Sequence, residues 1–137
     1  MVAYAKFLPP DDLPAFHQTF WESVRAHKLA LQCCNGCGTF RFIPMEICPQ
    51  CHSESDTWRT VSGLGEIYTY TIVHRGPTAA YNDEAPYPIV HVTLDEGPRM
   101  ISNLVGIALE AIHIGMRVRV IYEDVTADHT IFKFAPA

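Results

Sequence analysis

The chain has 137 residues, of which 48% are hydrophobic and 18% charged, a balance that fits one compact domain or a small domain carrying a metal-stapled module. Its formal net charge is −5 and its ten Lys and Arg residues are scattered, which disfavours nucleic acid as the main partner. No apolar run approaches the roughly 20 residues that cross a bilayer, and no signal peptide is recognisable. We therefore expect a cytoplasmic protein that does not enter membranes.

An amphipathic helix is predicted near the N-terminus, over roughly residues 12–27. Apolar side chains recur there at spacings of three, four and four residues, at Leu13, Phe16, Phe20 and Val24. Asp11 and Asp12 are candidate N-caps, and Pro14 is tolerated in a first helical turn. Trp21 widens the apolar face. Such a helix packs either on its own domain or on a partner chain, and the residues leave both possibilities open.

The strongest motif is formed by two close cysteine pairs, Cys34 with Cys37 and Cys48 with Cys51. Each pair encloses two residues, a spacing at which a tight turn can point backbone amides at the sulfurs. The ten residues between the pairs are enough for a hairpin that brings the two turns together. Four thiolates in tetrahedral geometry suit Zn²⁺, and a closed shell leaves no position for substrate, so a structural zinc is predicted.

Other readings of the cysteines stay open at this point. The four thiols could be buried without metal, or they could hold iron. Cys33 is expected to be a strand residue beside the site, because its use as a ligand would lengthen the first turn. His52 follows the last cysteine and is expected at the surface, although it could substitute as a ligand.

The rest of the chain is rich in predicted strands. Short strands around 29–32 and 39–43 are expected to form a hairpin around the first cysteine pair. From Trp58 onward, five further strands are predicted, at 65–73, 89–94, 99–105, 116–122 and 130–134. Five short strands in this length indicate a small closed barrel. The loop at 74–88 is long, and long loops in compact domains are usually functional or mobile.

No catalytic constellation can be assembled from the residues alone. Cys33 has no evident basic partner, the seven His residues are dispersed, and His91 in the middle of a strand is expected to be structural. A glycine-rich phosphate loop between a strand and a helix is also absent from the sequence. The residues therefore specify no reaction.

The order of motifs resembles the DUF35 family. The resemblance runs from about 16 to 136 and rests on Phe20-Trp21-Glu22, Leu31-Gln32, the two cysteine pairs, Pro44, Gly63-Leu-Gly65-Glu66, Tyr70-Thr71, Ala85-Pro-Tyr87, Leu94-Asp-Glu-Gly97, Ile114-Gly-Met-Arg-Val118 and Phe134-Ala-Pro136. Cys33 departs from the pattern, because members often have a basic residue there. The family implies a mainly β protein with an N-terminal arm and helix at 1–28, a rubredoxin-like zinc ribbon at 29–57 and a five-stranded OB-fold at 58–137.

The resemblance also implies a function and a partner. Members of the family serve as small subunits beside thiolase-like enzymes, in thiolase, acyltransferase or aldolase complexes that act on acyl-CoA. The partner carries the catalytic residues, and the small subunit bridges or shapes the hetero-oligomer. Two alternatives are a single-stranded nucleic-acid module with Tyr68, Tyr70 and Phe132 as stacking platforms, and an independent acyl-CoA enzyme with 74–88 as its lid.

A CoA contact is expected in a cleft between ribbon and barrel. Its predicted lining is Arg41, Phe42 and Ile43 from the ribbon, with Arg75 and Tyr87 beside the long loop. The cations would meet phosphates and the aromatic or apolar side chains would meet the adenine. In the alternative reading, Arg41 and Arg75 are solvated or pair with acids such as Glu46 and Asp83.

Overall fold

A computed structural model describes residues 4–137. Its elements in chain order are helix α1 (Ala15–Arg25), strands β1 (Ala30–Cys34), β2 (Phe40–Arg41), β3 (Asp56–Thr60) and β4 (Leu64–Val73), the short helix α2 (Ala79–Asn82), strands β5 (Tyr87–Leu94) and β6 (Arg99–Asn103), a 3₁₀ turn (Leu109–Ala111), and strands β7 (Arg117–Asp124) and β8 (Thr130–Pro136). The strands form two antiparallel sheets, one of three strands and one of five.

Helix α1 packs its apolar stripe on its own chain. Phe20 and Val24 are buried. The centroid of the Phe20 ring lies 5.5 Å from that of Phe42 in the ribbon and 6.0 Å from that of Phe132 in the barrel. The helix begins at Ala15, after Pro14 in the capping position, and has no side-chain cap. The prediction that Asp11 or Asp12 would cap it was therefore wrong, because the rigid Pro14 places the start of the helix beyond their reach.

The ribbon sheet has the strand order β2-β1-β3. The predicted hairpin is confirmed, with Gln32 opposite Arg41 and Cys33 opposite Phe40. Strand β3 runs across residue 57, where the ribbon was predicted to end, and pairs with β1 along its whole length. Residues 58–60, which the sequence pattern assigned to the barrel segment, thus lie in the ribbon sheet.

The second sheet has the order β6-β5-β4-β7-β8, and its two outer strands meet. Leu104 and Phe134 form a parallel bridge, and the Val105 amide donates to the Phe134 carbonyl over 2.9 Å. The side chains that point inward are apolar and almost fully buried, among them Ile67, Val90, Val92, Met100 and Val118. This confirms the five-stranded barrel of an OB-fold.

The loop at 74–88 carries helix α2 and contacts the N-terminal arm. Lys6 Nζ donates to Glu84 over 2.6 Å and lies 4.8 Å from the centroid of the Tyr81 ring. The Gly76 amide donates to Asn82 Oδ1 over 2.6 Å, which closes the loop on itself.

In the part of the chain that the structure describes, no helix is long and apolar enough to cross a membrane.

Candidate metal centre and the cleft beside it

The two cysteine pairs lie on two turns with the same backbone pattern. In the first turn, the Cys34 amide donates to the Thr39 carbonyl and the Gly38 amide donates to the Cys34 carbonyl, both over 2.9 Å. In the second, the Cys48 amide donates to Ser53 and the His52 amide to Cys48, over the same distance. Cysteines with two residues between them therefore point their sulfurs to the same side of each turn.

The four sulfur atoms converge on one point. Cys34 Sγ lies 3.5 Å from Cys51 Sγ, Cys37 Sγ lies 3.7 Å from Cys48 Sγ, and all four lie within 4.8 Å of one another. A tetrahedron with Zn–S bonds of ~2.3 Å has edges of about 3.8 Å, close to both of these pair distances, so the four sulfurs suit a zinc ion. Gly36 gives room for this approach, because a Cβ there would lie at crowded distances of 3.3 Å from Cys51 Sγ and 3.2 Å from Ser53 Cβ.

The surrounding hydrogen-bond donors favour the thiolate form of the first cysteine pair, Cys34 and Cys37. The backbone amide of Cys37 lowers the pKa of Cys34 to about 6, assisted by the Cys51 thiol and the Gly36 amide. The hydroxyl and amide of Thr39 also lower the pKa of Cys37. The Ser53 amide acts to lower the pKa of Cys51, but the three neighbouring thiols and desolvation raise it to about 12. Four crowded sulfurs resist full ionisation unless a cation lies among them.

Cys33 and His52 lie outside the sulfur cluster. Cys33 is a buried residue of β1 whose Sγ contacts the Gly38 carbonyl at 3.5 Å, as expected for a strand residue beside the site. His52 is exposed and has a φ of +65°, at the position in the second turn that Gly38, with φ +75°, occupies in the first. His52 thus adopts the left-handed backbone conformation at the surface, with its imidazole away from the sulfur cluster.

Arg41 is buried behind the site in a polar network. Only 3% of the residue is exposed, and its Nη2 donates to Asp56 Oδ2 over 2.7 Å. Its Nε donates to Gln32 Oε1 and to the Met45 carbonyl. The partner is therefore Asp56 rather than Glu46, the acid suggested by the sequence. Arg75 is exposed.

A concave, mostly apolar surface lies where helix, ribbon and barrel meet, and we call it the junction cleft. Its volume is about 360 Å³, and it is lined by Trp21 of α1, Phe42, Ile43 and Pro44 of the ribbon, and His91, Arg99 and Ile101 of the barrel. An adjoining cavity of about 410 Å³ contains Arg41, Phe42 and Arg99. Neither cavity includes Arg75 or Tyr87, and Tyr87 is buried with its ring 5.8 Å from that of Tyr81.

Sequence reasoning did not single out the barrel side of this cleft. The Arg99 guanidinium stacks 3.7 Å from the centroid of the Tyr68 ring, and Ile101 is 56% exposed on the same side of the sheet. His91, predicted to be structural, lies opposite Ile101 in the neighbouring strand. The alternating pattern of β5 and β6 could have identified these cleft residues, because it places them on the side of the sheet that faces away from the core. Phe132, proposed as a nucleic-acid platform, instead packs against Phe20.

The family models that match this chain cover it in two adjoining parts. Residues 21–57 match the ChsH2 rubredoxin-like zinc ribbon domain, and residues 58–123 match the ChsH2 C-terminal OB-fold domain.

Several known proteins are similar over most of the chain. A probable enoyl-CoA hydratase alpha subunit of Thermomonospora curvata is 39% identical over 86% of this chain, which spans only 37% of that protein. A DUF35 domain-containing scaffold protein of Methanothermobacter thermautotrophicus is 34% identical, with 85% of this chain and 92% of the relative covered. The solved structure of an Ltp2-ChsH2(DUF35) aldolase contains a chain that is 32% identical, with a TM-score of 0.81 and coverage of 93% and 98%. With ribbon, barrel and relatives in agreement, the chain belongs to the DUF35 family.

Proposed function

We propose that this chain is a zinc-containing, non-catalytic subunit of a thiolase-like acyl-CoA complex, in which it bridges or shapes the assembly. The observation that carries the proposal is the near full-length likeness to a DUF35 scaffold protein and to the DUF35 chain of an aldolase. The name of a further relative, an enoyl-CoA hydratase alpha subunit, also places the family beside enzymes of CoA thioesters. The five cysteines are free thiols, in keeping with a cytoplasmic setting.

The proposed metal is a structural Zn²⁺ held by Cys34, Cys37, Cys48 and Cys51. The support is the sulfur geometry, with distances of 3.5 and 3.7 Å across the two closest pairs. When bound, zinc would stabilise the two turns and neutralise thiolate charge, and it would leave no coordination position for a substrate. The role of the site is therefore to hold the two turns of the ribbon together rather than to perform chemistry.

The proposed docking surface for the partner enzyme is the junction cleft. Ile43 and Ile101 expose 57% and 56% of their surface on opposite walls of the cleft. Exposed apolar side chains around one concavity are typical of protein interaction sites. The apolar face of α1 is already occupied by the chain's own core, so the helix contributes mainly Trp21 to this surface.

A matched pair of variants tests this assignment in the assembled complex. Ile101→Asp places a charge in the cleft, whereas Ile114→Asp places the same charge at another exposed isoleucine that does not line the cleft. Co-purification with the thiolase-like enzyme of the same genome is expected to be lost in Ile101→Asp and retained in Ile114→Asp. If the wild-type chain and the enzyme elute separately and the enzyme is fully active alone, the proposed function is wrong.

We further propose that the complex contacts CoA through this chain. Phe42 and Arg41 line the adjoining cavity and stay in this proposal. Arg99 is added because the residue is exposed and takes part in no ion pair within residues 4–137, whereas Arg41 is buried and paired with Asp56. Arg75 and Tyr87 remain the predicted contacts at the long loop. Most of the affinity is expected to come from the partner enzyme.

Kinetics of the assembled complex can separate these contacts. A phosphate contact far from the reacting carbon stabilises ground and transition states alike, so its loss raises KM for the acyl-CoA with little change in kcat. Arg99→Ala and Arg75→Ala are compared with Arg59→Ala, an exposed arginine of the ribbon edge. A raised KM in either of the first two variants locates the phosphate contact. An unchanged KM in both would leave the chain a purely architectural subunit.

A further inference from the structure

The second half of strand β4 has an open edge. Strand β7 pairs with β4 only at Leu64–Glu66, and the Ile67 backbone then bonds to Met116 and Gly115. From Thr69 to Val73, β4 continues to pair with β5, but among the described residues no strand pairs with its other edge. Because alternate residues of a strand direct their N–H and C=O groups to each edge, this stretch presents unpaired backbone groups.

The chemistry of this edge favours pairing with another strand. Residues 67–73 read Ile-Tyr-Thr-Tyr-Thr-Ile-Val, and every one of them is β-branched or aromatic. Proteins usually protect an open edge with lysine, proline, a bulge or a covering segment. Among residues 4–137, the one such device in this strand is the bulge between Ile67 and Thr69, which lies before the open stretch. Thr69 and Thr71 are both exposed.

We propose that the Thr69–Val73 edge pairs antiparallel with the same edge of a second copy of this chain, with the two-fold axis at Thr71. Thr71 is the midpoint of the open stretch, since Ile67 is already bonded to neighbouring backbone. This register places Thr71 opposite itself, Tyr70 opposite Ile72 and Thr69 opposite Val73. Aromatic–aliphatic and β-branched pairs of this kind stabilise antiparallel sheets.

The absence of charge in the segment and the symmetry of its pairing both fit a second copy as the occupant. The segment carries no charged residue, so no like charges meet in the paired region. The interface is isologous, and it closes after two copies because each chain offers this edge once. Pairing uses the backbone of β4, whereas the junction cleft is lined by α1, residues 42–44, β5 and β6. The dimer would therefore give the complex a bivalent scaffold with two clefts.

Sedimentation equilibrium of the zinc-loaded full chain tests the association. Five residue pairs make a small interface, so we expect the mass to rise from 15.4 kDa toward twice that value only over a broad range, about 1 to 500 µM. Because each copy has a net charge of −5, added salt is expected to strengthen the dimer. Thr71→Lys places two ammonium groups opposite each other and is expected to weaken association at least about tenfold. Thr60→Lys, at an exposed position of the ribbon sheet, makes the same charge change and is expected to leave the dimer intact.

A cysteine variant tests the register. Antiparallel neighbours have Cα atoms about 4.5–5.5 Å apart, which is within the range that a disulfide spans. Thiol–disulfide exchange with oxidised glutathione is therefore expected to link two copies of Thr71→Cys, with release of two reduced glutathione molecules, and to leave Thr60→Cys unlinked. A monomer at every concentration, or equal cross-linking of both variants with native zinc content, overturns the proposal. Since the chain is measured alone, either failure leaves the proposed function untouched.

Discussion

The ion pair between Arg41 and Asp56 provides a quantitative test of how burial governs charge in this fold. The Arg41 side chain is 1% exposed and that of Asp56 19%, with 2.7 Å between Nη2 and Oδ2. Arg41 Nη1 is buried and has no hydrogen-bond partner within residues 4–137. Asp56→Asn keeps the shape of the side chain but removes the negative charge, so the guanidinium is left buried without a counter-ion.

Removal of one member of a buried pair costs about 3–5 kcal/mol, and the partial exposure of Asp56 favours the lower end, about 3 kcal/mol. For a chain of this length, that loss corresponds to a melting temperature lower by roughly 10 °C. The measurement is urea unfolding followed by circular dichroism, with zinc in excess so that metal occupancy does not vary. A loss within experimental error would show that the buried charge is compensated by groups other than Asp56.

The matched control is the exposed pair of Arg117 and Asp95. Two hydrogen bonds of 2.8 Å join them, yet their side chains are 47% and 45% exposed. Solvent screening makes such pairs weak, so Asp95→Asn is expected to cost far less than Asp56→Asn. Equal destabilisation by the two variants would refute the assignment of the effect to burial.

The same control predicts a pH dependence. The hydrogen bond from Arg117 lowers the pKa of Asp95 in the folded chain below its unfolded value. The pair therefore stabilises the fold above the unfolded pKa, and this contribution is lost as pH falls through the folded pKa. The difference in free energy of unfolding between wild type and Asp95→Asn is expected to shrink toward zero on acidification. A difference that grows at acid pH contradicts this sign.

Three further predictions concern the backbone and the metal. Cys48→Ser is expected to lose zinc and to yield insoluble or partner-free protein, whereas Cys33→Ser keeps one zinc per chain by metal analysis; equal loss in both would overturn the ligand set. His52→Gly relieves a φ of +65° and is expected to raise the free energy of unfolding by about 1 kcal/mol in urea titrations, and an unchanged or lower value would contradict this strain argument. Gly65→Ala would drive a methyl group into the Thr93 carbonyl oxygen, so little folded protein is expected in a soluble-expression assay, and a normal yield would show that the barrel can shift there.

Much of the metal centre could be read from the sequence, because its determinants are local. The two cysteines of each pair are separated by two residues. The backbone hydrogen bonds that shape each turn join residues no more than five positions apart. The sequence did not reveal the left-handed conformation of His52, since histidine carries no preference for it comparable to that of Gly38.

The strands of the barrel were also predictable, because alternation along a strand reports which side faces a core. Which strands pair with one another was harder to predict from the sequence. Trp58 lies in a segment with a strand-like pattern, yet only the paired structure places it opposite Gln32 in the ribbon rather than in the barrel. Pairing is decided by residues far along the chain, and local preference carries little information about it.

The junction cleft was decided by tertiary structure. Phe42 and Ile43 were expected on the ribbon wall of a cleft, but the other wall comes from Arg99 and Ile101, more than fifty residues later. Arg41 looks like any surface arginine in the sequence, and it is buried because Asp56 on β3 lies within 2.7 Å once three strands have paired. Local spacing determines turns and the identity of a metal site, whereas burial of a charge and the walls of a cleft depend on which distant strands the core brings together.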